Sequence, residues 1–269
     1  MRSRLENENN DYYNNIMINK TIFILWLQGW ENAPNLQKEV AKSWTIQNPT
    51  WKVEYVSFAN LRQYVTDIDY IYDRTKQITP QAMSDIIRVS LLYNHGGIWA
   101  DATMLCMQPL DGWVDDELLR SNIWMYYRAK GGAEGTKALY SFIIANRGSQ
   151  LISQLKTVCD EYWRTRASAH TYFWLDFLIN RLLKTDSAEF DRMPRIEADK
   201  LTQSHGLAGS INGVEKMDLD IPEFKQAILE HPPYVLKLWK HCNMNKPGSN
   251  AAYAIEMSKR VMSKKHAFE

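Results

Sequence analysis

Asp85, Arg88 and Asp101 are the side chains whose types and spacing could do chemistry together. Asp85 and Arg88 stand three apart in a stretch of helical pattern, so they share one helix face. That stretch runs into Gly96-Gly97, and the GIWAD that follows reads as a short buried strand. Asp101 then lies at the carboxyl end of that strand, where open α/β sheets bind their ligands. A carboxylate in that place can hold a divalent cation or sugar hydroxyls, and an arginine beside it can meet a phosphate or orient a sugar. The same spacing also fits an i,i+3 ion pair on a solvated face, worth about 0.2–0.5 kcal/mol, with Asp101 capping a turn.

The elements that must position these residues are legible around them. Thr79 suits an N-cap and Pro80 the first helical position, so a helix is expected from there to His95, where glycine allows the chain to turn. Upstream, TIFILWLQG reads as a first buried strand, Leu36–Gln47 as a helix ending before Asn48-Pro49, and WKVEYVS as a second strand. Ser57 could cap a further helix through Val65. Downstream, ATMLCMQPL reads as extended, NIWMYYR and YSFIIAN as strands, and Gln150–Arg164 and Tyr172–Lys184 as helices. A loop (HGLAGSING), a short helix, the segment YVLKLWK and a final helix near Ala251–Lys264 complete the chain. Strands and helices in this alternation predict an α/β fold with a Rossmann-type sheet and helices on both faces. Residues 1–19 read as a loose tail, and 20–269 as a single domain.

Composition narrows the classes. The 269 residues, 45% hydrophobic and 23% charged, describe a globular chain able to bury a large core. A net charge of +1 supplies no general field for a nucleic-acid backbone, so nucleic acid is not an expected partner. Cys106, Cys159 and Cys242 are far apart and form no C-x-x-C pair, which suggests neither a zinc site nor a disulfide framework. The polar start lacks a secretory apolar core, and Ile22–Leu27 is too short to span a bilayer. A soluble, cytoplasmic protein is the expectation. Lys259, Arg260, Lys264 and Lys265 leave room for peripheral contact with a membrane, although such residues more often mark a solvated helix end. A P-loop and an HExxH zinc motif are both missing from the sequence, and QGWENAP is a poor phosphate loop for a nucleotidyltransferase.

The stretch SDIIRVSLLYNHGGIWADATMLCMQPL resembles the sugar-binding region of the DXD glycosyltransferases, particularly those of the capsular polysaccharide synthesis type. Ser-Asp-x-x-Arg, Leu-Leu-Tyr, Gly-Gly-Ile-Trp and Asp-Ala-Thr carry the likeness, which extends back to ILWLQGWENAP and SWTIQNPTWKVEYVS. It continues more weakly into HTYFWLDFL and YVLKLWKHC. The resemblance implies a GT-A-like fold with an acceptor side built from later segments. It implies transfer of a hexose or pentose from a nucleotide-sugar, UDP- or GDP-linked, to a hydroxyl of a glycan acceptor.

By the same resemblance Trp26 stacks on the nucleotide base, Asp85 and Arg88 contact the donor, and Asp101 contacts the sugar-nucleotide and supports a metal. Thr103 stands where most relatives have a second aspartate. A hydroxyl is a weaker ligand for Mg²⁺ or Mn²⁺ than a carboxylate, so the ion is expected to be weakly held at Asp101 and Thr103. Lys237 and Lys240, with Trp239 between them, are then expected to help neutralise the leaving diphosphate, although a solvated face explains the lysines equally well. An inverting transfer needs a base, for which Asp176 and His170 are candidates, while a helical aspartate can also simply sit on a polar face. The alternative to an enzyme is a sugar-nucleotide or glycan-binding protein that has lost catalysis.

Overall fold

Short apolar runs flanked by turn residues build the centre of this structure, a computed structural model that describes residues 18–128, 131, 135–196 and 217–260. Strand β1 (Thr21–Leu25) is buried from Ile22 onward, as expected of a strand covered on both faces. It lies between β2 (Lys52–Val56) and β3 (Gly97–Ala100), parallel to both. The sheet continues with β6 (Ala138–Ala145), antiparallel to β3, and β5 (Ile123–Tyr127), antiparallel to β6. The order is therefore β2-β1-β3-β6-β5. A separate antiparallel ribbon pairs β4 (Met104–Cys106) with β7 (Val235–Lys237).

Helices cover both faces. The register sets Phe23 beside Trp99 and Trp99 opposite Ile143. On this face lies α2 (Pro80–His95), whose His95 ring is 5.7 Å from Phe23 and whose Arg88 lies over Trp99. The alternate residue Phe142 points the other way and stacks on Trp44 of α1 (Asn35–Gln47) at 5.5 Å. The indole N–H of Trp44 donates to the Met104 carbonyl at 2.8 Å, tying α1 to the ribbon. Helices α4 (Gln150–Arg164) and α5 (Trp174–Thr185) pack in series behind α2. Short helices α3 (Val114–Leu118) and α6 (Ala188–Arg192) flank β5. A second, smaller core joins Leu36 and Val40 of α1 and Leu105 of β4 to α7 (Pro222–Glu230) and α8 (Asn250–Ser258).

The expected helix that leads into the site is present, with its cap and its stop. Thr79 accepts from the Ala82 amide at 3.2 Å, and α2 starts on Pro80 and stops at His95. Gly96 and Gly97 take φ of 64° and 91°.

Elsewhere the structure differs from expectation. Residues 57–65 form only a 3-10 turn at Leu61–Gln63, because the Asn60 carboxamide accepts the Ser57 amide at 2.8 Å and closes a turn instead of a cap. Tyr172 and Phe173 precede α5 and are not part of it. Ile18 already belongs to the core, whereas residues 1–17, the HGLAGSING loop and the end of the last expected helix lie outside the described residues.

Candidate active site

Strand β3 delivers Asp101 to the carboxyl edge of the sheet, and the antiparallel ladder holds it there. Its amide donates to Ser141 on β6 at 2.9 Å, and its carbonyl accepts from Met104 at 2.8 Å in the turn that starts β4. Trp99 lies two residues back on the same strand face, so its indole N–H reaches Asp101 Oδ1 at 2.9 Å. Arg88 comes from α2, one turn beyond Asp85, and its Nη2 donates to the same Oδ1 at 3.1 Å. The other carboxylate oxygen, Oδ2, accepts from Lys237 Nζ at 2.9 Å. The β4–β7 ribbon brings that lysine in, with the Leu238 amide on the Thr103 carbonyl at 2.8 Å.

Arg88 is the hub. Its Nη1 donates to the Tyr140 carbonyl at 2.8 Å and its Nη2 lies 3.3 Å from Asp85 Oδ1. The guanidinium sits 5.1 Å from the Trp99 ring and 5.0 Å from the Tyr140 ring, a place that suits a planar delocalised cation better than an ammonium. Its Nε is buried without a hydrogen-bond partner among the described residues.

The charges here divide by environment. Burial works to raise the Asp101 carboxyl, but Lys237 and Arg88 outweigh it and hold the group below the usual carboxylate range. Burial pushes Asp85 up to about 7, against the pull of Arg88 and with the help of negative Asp101 and Asp176. Burial opposes the charge on Arg88 as well, yet Asp101 and Asp85 keep its pKa above the ordinary value.

A second group adjoins the first. The Tyr140 hydroxyl donates to Asp176 Oδ2, and Arg128 Nη1 lies 3.8 Å from Asp176 Oδ1. Burial raises the Asp176 carboxyl despite the Tyr140 hydrogen bond and Arg128. It also raises the Tyr140 phenol, with Asp85 and Asp176 adding to the effect, so the phenol stays protonated and donates.

Asp85, Arg88, Asp101, Lys237 and Tyr140 line one cleft of about 370 Å³. Of the residues singled out from sequence, the cleft thus gathers Asp85, Arg88, Asp101 and Lys237. Trp26 is half-buried one residue beyond the cleft-lining Leu25, and its amide donates to Val56. Thr103 lies in the turn before β4 and does not line the cleft. Trp239 packs on the second core, 5.8 Å from His241, and Lys240 is exposed. Asp176 is 1% exposed and lies behind Tyr140. His170 is exposed, with its Nδ1 against the Tyr162 hydroxyl at 2.6 Å.

Sequence reasoning passed over Trp99, Tyr140 and Arg128. The i,i+2 spacing of Trp99 and Asp101 was a usable signal. Tyr140 and Arg128 reach the site only through sheet register and packing across chain separations that no spacing shows.

The donor set fits a resident Mg²⁺ or Mn²⁺ poorly. Both Asp101 oxygens already accept from N–H groups, two of them cationic, and Thr103 stands outside the cleft. Among the described residues no three His, Cys, Asp or Glu side chains converge on a common point. The arrangement is instead a carboxylate pinned between two cations at the end of a strand. It can accept from ligand hydroxyls at its edges and present Lys237 to an anion.

The model of a family described as capsular polysaccharide synthesis protein matches residues 1–215. A curated relative, glycosyltransferase afumC of Aspergillus fumigatus (strain CBS 144.89 / FGSC A1163 / CEA10), is 28% identical over 159 residues, which are 54% of this chain and 38% of that protein. The chain therefore spans well under half the length of that relative. Among solved structures, the PaToxG glycosyltransferase is similar with a TM-score of 0.46 and 16% identity, over 87% of this chain and 96% of that one. A glycosyltransferase involved in the glycosylation of the major capsid of PBCV-1 is similar with a TM-score of 0.35 and 13% identity, over 68% and 82%.

Proposed function

The chain belongs to the capsular polysaccharide synthesis family, and from that premise we propose that it is a glycosyltransferase passing a hexose or pentose from a UDP- or GDP-linked donor to a glycan hydroxyl. The observation that carries this reading is Asp101, ionised at the carboxyl end of β3 and gripped by Arg88, Trp99 and Lys237 inside the cleft. The name of the relative afumC supports the same reaction type.

In the proposed reaction the acceptor oxygen forms a bond to the donor's anomeric carbon while the bond from that carbon to the diphosphate breaks. The acceptor proton leaves for a base and the diphosphate takes the bonding electrons. Charge therefore builds on the leaving group, and preorganised cations are the residues that lower the barrier. Lys237, with its side chain 21% exposed, is the cation best placed to turn toward that group. Arg88, held by Tyr140 and both aspartates, orients Asp101 toward the donor's hydroxyls. The Mg²⁺ or Mn²⁺ implied by the resemblance is proposed as weakly held at most, because Lys237 competes for Oδ2 of Asp101. Trp26 remains the proposed base-stacking residue, from its place just past Leu25 at the end of β1. Lys240 and Trp239 are proposed only to support the segment that carries Lys237.

Release of nucleotide from a panel of UDP- and GDP-sugars, measured without acceptor, tests the reading. One donor is expected to be hydrolysed slowly, and Asp101→Ala is expected to slow that release by about 100-fold or more, since it removes a group that acts on the transition state. Near-normal turnover in a folded Asp101→Ala protein would overturn the assignment. Donor binding with no turnover in the parent would point to a binding protein.

A further inference from the structure

The cleft lining holds two chemically different groups of side chains. The charged ones are Asp85, Arg88, Asp101, Arg128 and Lys237. The neutral polar and aromatic ones are Gln81 and Ser84 from the first turns of α2, and Tyr172 and Phe173 from the residues before α5. Tyr172 is 69% exposed and Phe173 44%, with ring centroids 5.0 Å apart in an edge-to-face arrangement. A single exposed aromatic needs no explanation. Two together in the lining of a cleft that also holds a charged cluster do need one.

The pair is also held firmly from behind. The next residues, Trp174 and Leu175, are each 1% exposed, and Trp174 stacks on Tyr162 at 5.3 Å. The rings therefore stand out from an anchored helix start and do not belong to a loose loop. An aromatic face presents apolar area to a flat C–H surface, while a phenol, a carboxamide and a hydroxyl exchange hydrogen bonds with neutral hydroxyls. A pyranose offers both, with axial C–H groups on one face and hydroxyls around the rim. A phosphate offers neither and belongs with the cations of the cleft.

We propose that Tyr172 and Phe173, with Gln81 and Ser84, form the subsite for a pyranose ring of the acceptor glycan, in the same cleft as the donor. The assignment of that sugar to an acceptor rests on the donor reading given above, but the sugar site itself does not.

The test uses UDP and GDP as nucleotide probes and methyl hexopyranosides (gluco, galacto and manno) as sugar probes, with the full chain. Saturation-transfer NMR with the nucleotide present should show one of these glycosides bound by the ring protons of one face. Tyr172→Ala and Phe173→Ala should each weaken it by about tenfold at most, as expected for the loss of one aromatic contact, and Tyr172→Phe should keep most of the binding. Nucleotide affinity should be the same in all of these variants. Because both side chains are exposed, their melting temperatures should match the parent. Glycoside signals that persist unchanged in both alanine variants, or that no glycoside produces, would overturn the subsite. Nucleotide affinity that falls in Tyr172→Ala would overturn it too, making the pair a base platform. Glycoside binding that depends on Tyr172 in a protein that binds neither nucleotide would uphold the sugar site and sink the donor reading alone.

Discussion

At Asp85 burial and charge act against one another, and the balance can be read out with pH. In an unfolded chain an aspartate loses its proton near pH ~3.9, whereas folded Asp85 keeps it up to about 7. Between those values the folded protein binds more protons than the unfolded one, so stability falls as pH rises through the window. The penalty is absent below it and complete above it. Asp85→Asn cannot ionise and escapes the penalty. Relative to the parent, that variant should therefore gain about 1–3 kcal/mol of stability on going from about pH 5 to about pH 8, as linkage requires. Urea unfolding of both proteins at the two pH values measures this directly. A difference that does not change with pH would mean that Asp85 titrates as an ordinary surface carboxylate. The same proton gives the site a charge that changes near neutrality, since Arg88 then shares itself between one aspartate and two.

The Gly-Gly at the junction, Gly96 capping α2 and Gly97 opening β3, sets Asp101 at its height in the cleft. Gly97 has φ of 91°, and a Cβ there would come within 2.6 Å of the Thr21 carbonyl on β1. Gly97→Ala should thus cost about 2–4 kcal/mol, combining a left-handed backbone with a clash against the backbone of a buried strand. Gly112→Ala, where an added Cβ would meet nothing within 4 Å, should be close to neutral. Thermal unfolding of the two variants makes the comparison, and equal melting temperatures would deny Gly97 this role. Gly97 also shows what a sequence can reveal. Thr79, Pro80, the helix and the glycines after it are local signals, and they delimited α2 and β3 because caps and turns act within a few residues. The 57–65 segment misled for a related reason: Ser and Asn both compete for nearby amides, and Asn60 won. Tyr140 and Arg128 were out of reach, because their place depends on which residue of β6 faces β3 and on how α5 packs. Lys237 and Lys240 looked alike as a pair, yet only Lys237 follows the ribbon into the cleft.

At the scale of the whole molecule, the site exists only because the chain closes on itself. Lys237 and Asp101 are 136 residues apart, and their contact depends on β7 returning, beyond the helices of the middle of the chain, to pair with β4. The second core, in which α7 and α8 pack with α1, holds that return in place. A lysine delivered at such a distance is free to vary in purpose. It can neutralise Asp101 structurally, or it can supply the positive charge that a metal supplies where a second carboxylate stands in place of Thr103. These purposes separate on treatment with EDTA. If Lys237 carries the charge, the parent should keep most of its sugar transfer after the chelator. Lys237→Ala should then lose about 100-fold, the usual scale for removing a group that stabilises transition-state charge. Lys240→Ala, altering an exposed side chain outside the cleft, should change little. If the lysine only balances Asp101, Lys237→Ala should retain activity and the parent should fail in EDTA, with Asp101 then free to take a cation. That second pattern would remove Lys237 from the chemistry and restore the metal to the role that the resemblance implies.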